Sequence, residues 1–141
     1  MSTRATFTFA DQIDEVTVYK HHDGYPYGAA VSLMATVQSG RAWPQPRWEA
    51  SEFAAAFVAA NKDKPGGIRI LSAWDSAADI EWHYRIVQHP FGKRPLIVQA
   101  FRIVGMASGT GRLRTKKDWS GPLSHFLLNE GVTTDRQEAY A

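Results

Sequence analysis

The stretch YKHHDGYPYG, residues 19–28, is where the chain changes character. Up to His21 the sequence has the make-up of a strand, and from Pro26 it has the spacing of a helix. Asp23-Gly24 between them is a strong turn signal: glycine accepts positive φ, and an aspartate carboxylate can bond the backbone just ahead of it. Pro26 then presets φ for a first helical turn. A strand therefore hands over to a helix tip ringed by His21, His22, Asp23, Gly24 and Tyr25.

Upstream, RATFTF (4–9) alternates Ala5, Phe7 and Phe9 with Arg4, Thr6 and Thr8, the period-two pattern of a half-buried strand. EVTVYKH (15–21) reads as a second strand, joined to the first by the polar ADQID in an antiparallel hairpin. Val16 and Val18 mark its core face, which puts Tyr19 and His21 on the open face.

Downstream, the three- and four-residue steps of Tyr27, Ala30 or Val31, Met34 and Val37 predict a helix over 26–38, with Gly40 as its stop. RAWPQPRW, with two prolines, must be a loop. ASEFAAAFVAANK predicts a second helix over 50–62. After the breaker KPGG come three strand-like runs, 68–74, 79–87 and 94–104. Short polar connectors make an antiparallel meander the economical arrangement. The expected fold is α+β: one antiparallel sheet of about five strands in the order β-β-α-α-β-β-β. Two helices cover one face, and a C-terminal appendage holds a short helix in SGPLSHFLLNEG. A single domain spans 1–141, with a flexible basic loop at 106–121 and a polar tail at 132–141.

The composition, 44% hydrophobic and 21% charged over 141 residues, is that of a globular chain. The absence of cysteine excludes thiol catalysis, disulfides and sulfur-built zinc sites. No leader-like apolar run follows Arg4, and nothing approaches the roughly 18 apolar residues of a membrane span, so a cytoplasmic protein with no membrane partner is expected. The net charge is +2, and Arg112, Arg114, Lys116 and Lys117 gather in one segment against the single acid Asp118. With the basic surplus so confined, a broad nucleic-acid-binding face is not expected.

Two clusters carry possible chemistry. A helix start beside Asp23 favours an anion, either a ligand phosphate or Asp23 itself; the plainer account is that Asp23 satisfies the corner and the histidines are solvated. In DIEWHYR, alternation puts Asp79, Glu81, His83 and Arg85 on an open face and Ile80, Trp82, Tyr84 and Ile86 on the core face. If this strand adjoined residues 15–21, Glu81 and His83 would approach Tyr19 and His21, a grouping suited to a transition metal or to acid–base work. The plainer account here is a solvated sheet face whose cross-strand pairs add ~0.2–1 kcal/mol each. Candidate ligand-binding residues are thus His21, His22, Asp23, Gly24, Tyr25, Glu81, His83 and Arg85. The loop aromatics Trp43, Trp48, Phe91 and Trp119, with Arg112, Arg114, Lys116 and Lys117, are candidates for an interaction surface. Gly105, Gly109 and Gly111 lack the spacing of a phosphate-binding loop. There is no GxSxG, HExxH or paired-carboxylate motif, so binding is favoured over turnover, with no cofactor or resident metal expected.

The combination VYKHHDGYPYG and DIEWHYRI resembles a group of small phage and prophage proteins whose pattern runs Tyr-Lys/Arg-His-x-Asp-Gly-Tyr-Pro, with a later Asp/Glu-aromatic-x-Tyr strand. Tyr19, Lys20, His21, Asp23, Gly24, Tyr25 and Pro26 match the first part; Asp79, Trp82 and Tyr84 match the second. The resemblance implies a mobile-element origin, and with it a protein that engages a host protein, as an inhibitor of a defence or regulatory system would. The alternatives are capture of a phosphorylated small molecule or nucleotide signal at 21–28, and metal-assisted hydrolysis by His21, His22, Asp23, Glu81 and His83. Nucleic acid is the least favoured partner, and self-association is left open.

Overall fold

The computed structural model describes residues 2–77, 79–89, 95–106 and 112–132. Phe91, Gly109, Gly111 and the tail from 133 lie outside them. The elements are β1 (Ala5–Ala10), β2 (Glu15–Lys20), α1 (Pro26–Ser39), α2 (Ala50–Asn61), β3 (Ile68–Leu71), β4 (Trp82–Val87), β5 (Ile97–Met106), β6 (Leu113–Pro122) and α3 (Leu123–Asn129). No helix among the described residues is long and apolar enough to cross a membrane.

The α+β class holds, but the sheet is mixed and has six strands, in the order β3-β2-β1-β4-β5-β6. The expected β1–β2 hairpin is present, with Phe7 opposite Val18. Its turn is built on Asp11, whose Oδ1 accepts the Ile13 and Asp14 N–H groups, while Oδ2 accepts the N–H of Ala50 at the start of α2. Burial alone would raise the Asp11 pKa, but these three donors hold it below the usual value.

Of the expected meander only the antiparallel β4–β5 pairing forms. β3 pairs with β2 at one edge, and the chain then crosses the sheet to place β4 parallel to β1. The reason lies in β1, which is buried along its whole length. Thr6 and Thr8 are as enclosed as Phe7 and Phe9, because Thr8 bonds Thr17 at 2.9 Å and Thr6 bonds His83 at 2.9 Å. A strand buried along its whole length needs the backbone N–H and C=O groups of both its edges paired, and β4 supplies the second edge.

All three helices cover the face carrying Phe7, Phe9, Val18, Tyr84, Ile86 and Val98. Phe57 of α2 sits 4.8 Å from Phe7, and Phe126 of α3 packs against Trp119 at 5.3 Å. The expected appendage is therefore part of the core. Gly40 ends α1 at φ 66, donating to Val37 O.

The opposite face is not open. The crossover after β3 lies on it, with Tyr19, Ala77 and Ile80 forming a second cluster beside Trp74 and Ile103. Ile80, expected on the core face with Trp82, belongs here because β4 begins only at Trp82. The expected basic loop is also corrected: residues 113–122 are β6, paired antiparallel to β5 with two register shifts.

Candidate functional site

The corner at 21–28 is built by close approach. Gly24 donates to Thr3 O at 2.8 Å, and a Cβ there would meet the Ala5 Cβ at 2.6 Å. The positive φ falls on Asp23, at 57°, so glycine is needed at 24 for space and not for its conformational freedom. Tyr84 reaches up from β4 and donates to Gly24 O at 2.6 Å. His21 N–H donates to Gly67 O at 2.7 Å, which ties the corner to the α2–β3 connector.

Between corner and connector lies a cleft of about 390 Å³, lined by Lys20, His22, Asp23, Lys62, Lys64 and Gly67 among others. It continues into a second lobe of about 250 Å³ past Tyr25, Tyr27, Gly28 and Ser32 at the start of α1. Lys20, Asp23 and Asn61 border both lobes. The floor is pinned: Asn61 Nδ2 donates to Ser32 O at 3.2 Å and Phe57 O at 2.9 Å, joining α2 to α1. Lys62 Nζ closes the connector by donating to Gly66 O and Ile68 O. Gly66 and Gly67, at φ 78 and 82, let the backbone turn in a way other residues would resist.

Lys20 is the electrostatic centre of the cleft. Burial lowers its pKa, opposed by the nearby carboxylates of Asp23 and Asp63. Lys62 and Lys64 add two further ammonium groups, and the first turn of α1 adds backbone N–H groups that no side chain caps. Cations, a partly desolvated lysine and amides without a side-chain cap together favour an anion of modest size.

The sequence candidates divide into three groups. His21, His22, Asp23, Gly24 and Tyr25 share the corner, with the two imidazoles edge-on at 4.7 Å and His21 Nδ1 2.8 Å from Tyr19 OH. Glu81, His83 and Arg85 do not join them, because β1 stands between β2 and β4. Glu81 is exposed, its N–H bonded to Arg4 O. Arg85 pairs with Glu15 at 3.2 Å. His83 is only 2% exposed, stacked on Trp74 at 4.4 Å and facing Phe101 at 5.9 Å. Burial, then the charge of Arg85, hold its pKa down at about 3, with the Thr6 bond opposing. Among the described residues no group of three His, Asp or Glu side chains has the arrangement to hold a metal.

The interaction candidates also separate. Trp48 is 3% exposed and part of the core, so it presents nothing to a partner. Trp119 is half-buried over Gly121 and against Phe126. Trp43 remains on the surface, with the Arg47 guanidinium 3.9 Å over its ring and its N–H held by Glu52. Arg114, Lys116 and Lys117 lie on β6, with Arg112 just before it.

Sequence reasoning missed the connector half of the cleft. NKDKPGG (61–67) was legible only as a breaker, although two lysines flanking a Pro-Gly-Gly turn are a usable sign of a cationic loop. No family model matches this chain, and neither a curated protein nor a solved structure matches it significantly.

Proposed function

We propose that the protein binds a small phosphorylated ligand in the cleft between the 21–28 corner and the α2–β3 connector. The observation that carries this reading is the convergence of Lys20, Lys62 and Lys64, against Asp23 and Asp63, on one cleft, with Lys20 also bordering the neighbouring lobe at the start of α1. Tyr25 and Tyr27 at the second lobe offer aromatic surface for a base or another flat group. Thermal-shift and calorimetric titration with inorganic phosphate, mononucleotides and cyclic dinucleotides test it. A ligand of this class raises the melting temperature of the wild type and fails to raise that of Lys20→Gln or Lys64→Gln. A flat response across the whole panel removes the reading.

A second reading, docking onto a host protein as the phage-type resemblance implies, is favoured by Trp43 and Arg47. The pair is exposed, already stacked and anchored by Glu52, and Trp and Arg are the residue types that carry most interface energy. A tagged protein captures a specific partner that Trp43→Ala with Arg47→Ala does not; repeated capture of nothing specific removes this second role.

A further inference from the structure

Strand register puts Ile68, Lys20, Ala5, Trp82, Arg102 and Lys116 in a single row across all six strands, on the helix-bearing face. Residues paired directly across a ladder share a face. At about 4.8 Å per strand, Lys20 stands about 10 Å from Trp82 and about 19 Å from Lys116. Lys20 borders both lobes of the cleft, so the row starts inside the anion site and leads away from it.

Gly24 packs on Ala5 in this row, and the adjacent Tyr25 is 41% exposed. Beyond it, Trp82 rests its inner side on Tyr84 at 6.1 Å, and the Arg102 guanidinium sits 5.9 Å from the Trp82 centroid. Arg114 pairs with Gly105, two positions along β6 from Lys116 and on the same face as it. The row holds no acid; the nearest on β6 is Asp118, left unpaired at the register shift. Neither of the two ion pairs among the described residues reaches Arg102, Arg114 or Lys116. Arg102 and Lys116 face each other directly, an unfavourable like-charge pairing that a bound anion would relieve.

A file of cations interrupted by aromatic rings that reach solvent, Tyr25 exposed and Trp82 partly buried against the core, is the pattern that holds a nucleic-acid single strand: ammonium and guanidinium groups on phosphates, bases on the rings. We infer that a single-stranded nucleic acid lies along this row. Its terminal phosphate occupies the cleft, bases rest on Tyr25 and Trp82, and later phosphates meet Arg102, Lys116 and Arg114. The inference rests on the anion reading of the cleft and extends it. It also reverses the expectation drawn from composition, because the fold brings Lys20 and the β6 cations onto one face that the linear sequence keeps apart.

Fluorescence anisotropy with a 5′-phosphorylated oligothymidylate of about eight nucleotides tests it. Contact with about four phosphates weakens binding roughly 50-fold between 50 and 200 mM salt. Arg102→Gln with Lys116→Gln, both at exposed positions, weakens the oligonucleotide roughly tenfold and reduces the salt slope by about 1.4, while leaving the phosphate-induced thermal shift unchanged. Lys20→Gln lowers both. If phosphate binds but the oligonucleotide does not, or the double variant binds it like wild type, the track is wrong and the cleft stands. Equal binding of a duplex, or equal competition by a polyglutamate peptide, also overturns the single-strand assignment. If neither phosphate nor oligonucleotide binds, both readings fall.

Discussion

Tyr84 donates its phenolic hydrogen to the Gly24 carbonyl oxygen at 2.6 Å, joining residues 60 apart in sequence. The bond pins the strand-to-helix corner to the middle of the sheet. Burial raises the Tyr84 pKa far above its usual range, and the charges of Glu130 and Asp118 push the same way, so the group remains a donor. Its ring is stacked on Phe7 at 5.0 Å, which separates the two roles of the side chain.

Tyr84→Phe therefore keeps the ring contact and removes only the corner bond. It leaves the buried Gly24 carbonyl without this donor and costs about 1–3 kcal/mol, read from urea unfolding midpoints. On the proposed phosphate-binding reading, ligand affinity at the cleft falls with it, since the corner forms one wall. Unchanged stability would mean that the carbonyl has another donor.

Gly24→Ala brings a Cβ to 2.6 Å from that of Ala5 and 2.8 Å from Thr3 O. Backbone lies on one side and a packed strand on the other, so neither yields cheaply; the expected loss is about 1–3 kcal/mol. Gly66→Ala has open space around it but sits at φ 78, so it costs about 1 kcal/mol through backbone strain alone. Thermal melts of the two variants order them.

His83 makes stability depend on pH. Its folded pKa, about 3, lies below the ordinary 6.5, so the unfolded chain binds the extra proton first. The contribution is fully present above pH 6.5 and is lost as pH falls towards 3, at about 1.4 kcal/mol per unit within that window. Thr6, Trp74, Phe101 and the Arg85 charge are the groups that surround the ring, and none is an acid that would welcome a proton. Thr6→Val with His83→Phe keeps the stacked ring and removes both polar groups. Its unfolding free energy between pH 5 and 6.5 is expected to be flat where that of the wild type slopes.

Asp11→Ala removes the acceptor for three backbone N–H groups, two in the hairpin turn and one at the start of α2. Glu49, which precedes α2, makes no side-chain cap, so nothing replaces it. A loss of about 1–2 kcal/mol is expected. Asp11→Asn, which keeps one acceptor oxygen, recovers part of it in the same denaturation series.

The half of the cleft contributed by His22, Asp23 and Tyr25 was legible because a turn, a proline and a helix start leave local marks. The half contributed by Lys62, Lys64 and Gly67 was not, since nothing in NKDKPGG says which part of the chain it will face. His83 shows the same limit from the other side: its alternation with Trp82 and Tyr84 was read correctly, yet the face it occupies is covered by the crossover and not by water.

The sequence alone determined the two helices, expected over 26–38 and 50–62 and found within one residue of those bounds, the β1–β2 hairpin and the bend at Asp23-Gly24. Those depend on side-chain period, prolines and turn residues, all of which act within a few positions. Only the tertiary structure decided that β4 runs parallel to β1, that β6 is a strand, and that Lys20 and Lys116 share a row. Pairing partners and the covering of the second face follow from how distant segments jointly exclude water and satisfy buried polar groups such as Thr6, and no local window of the chain contains that information.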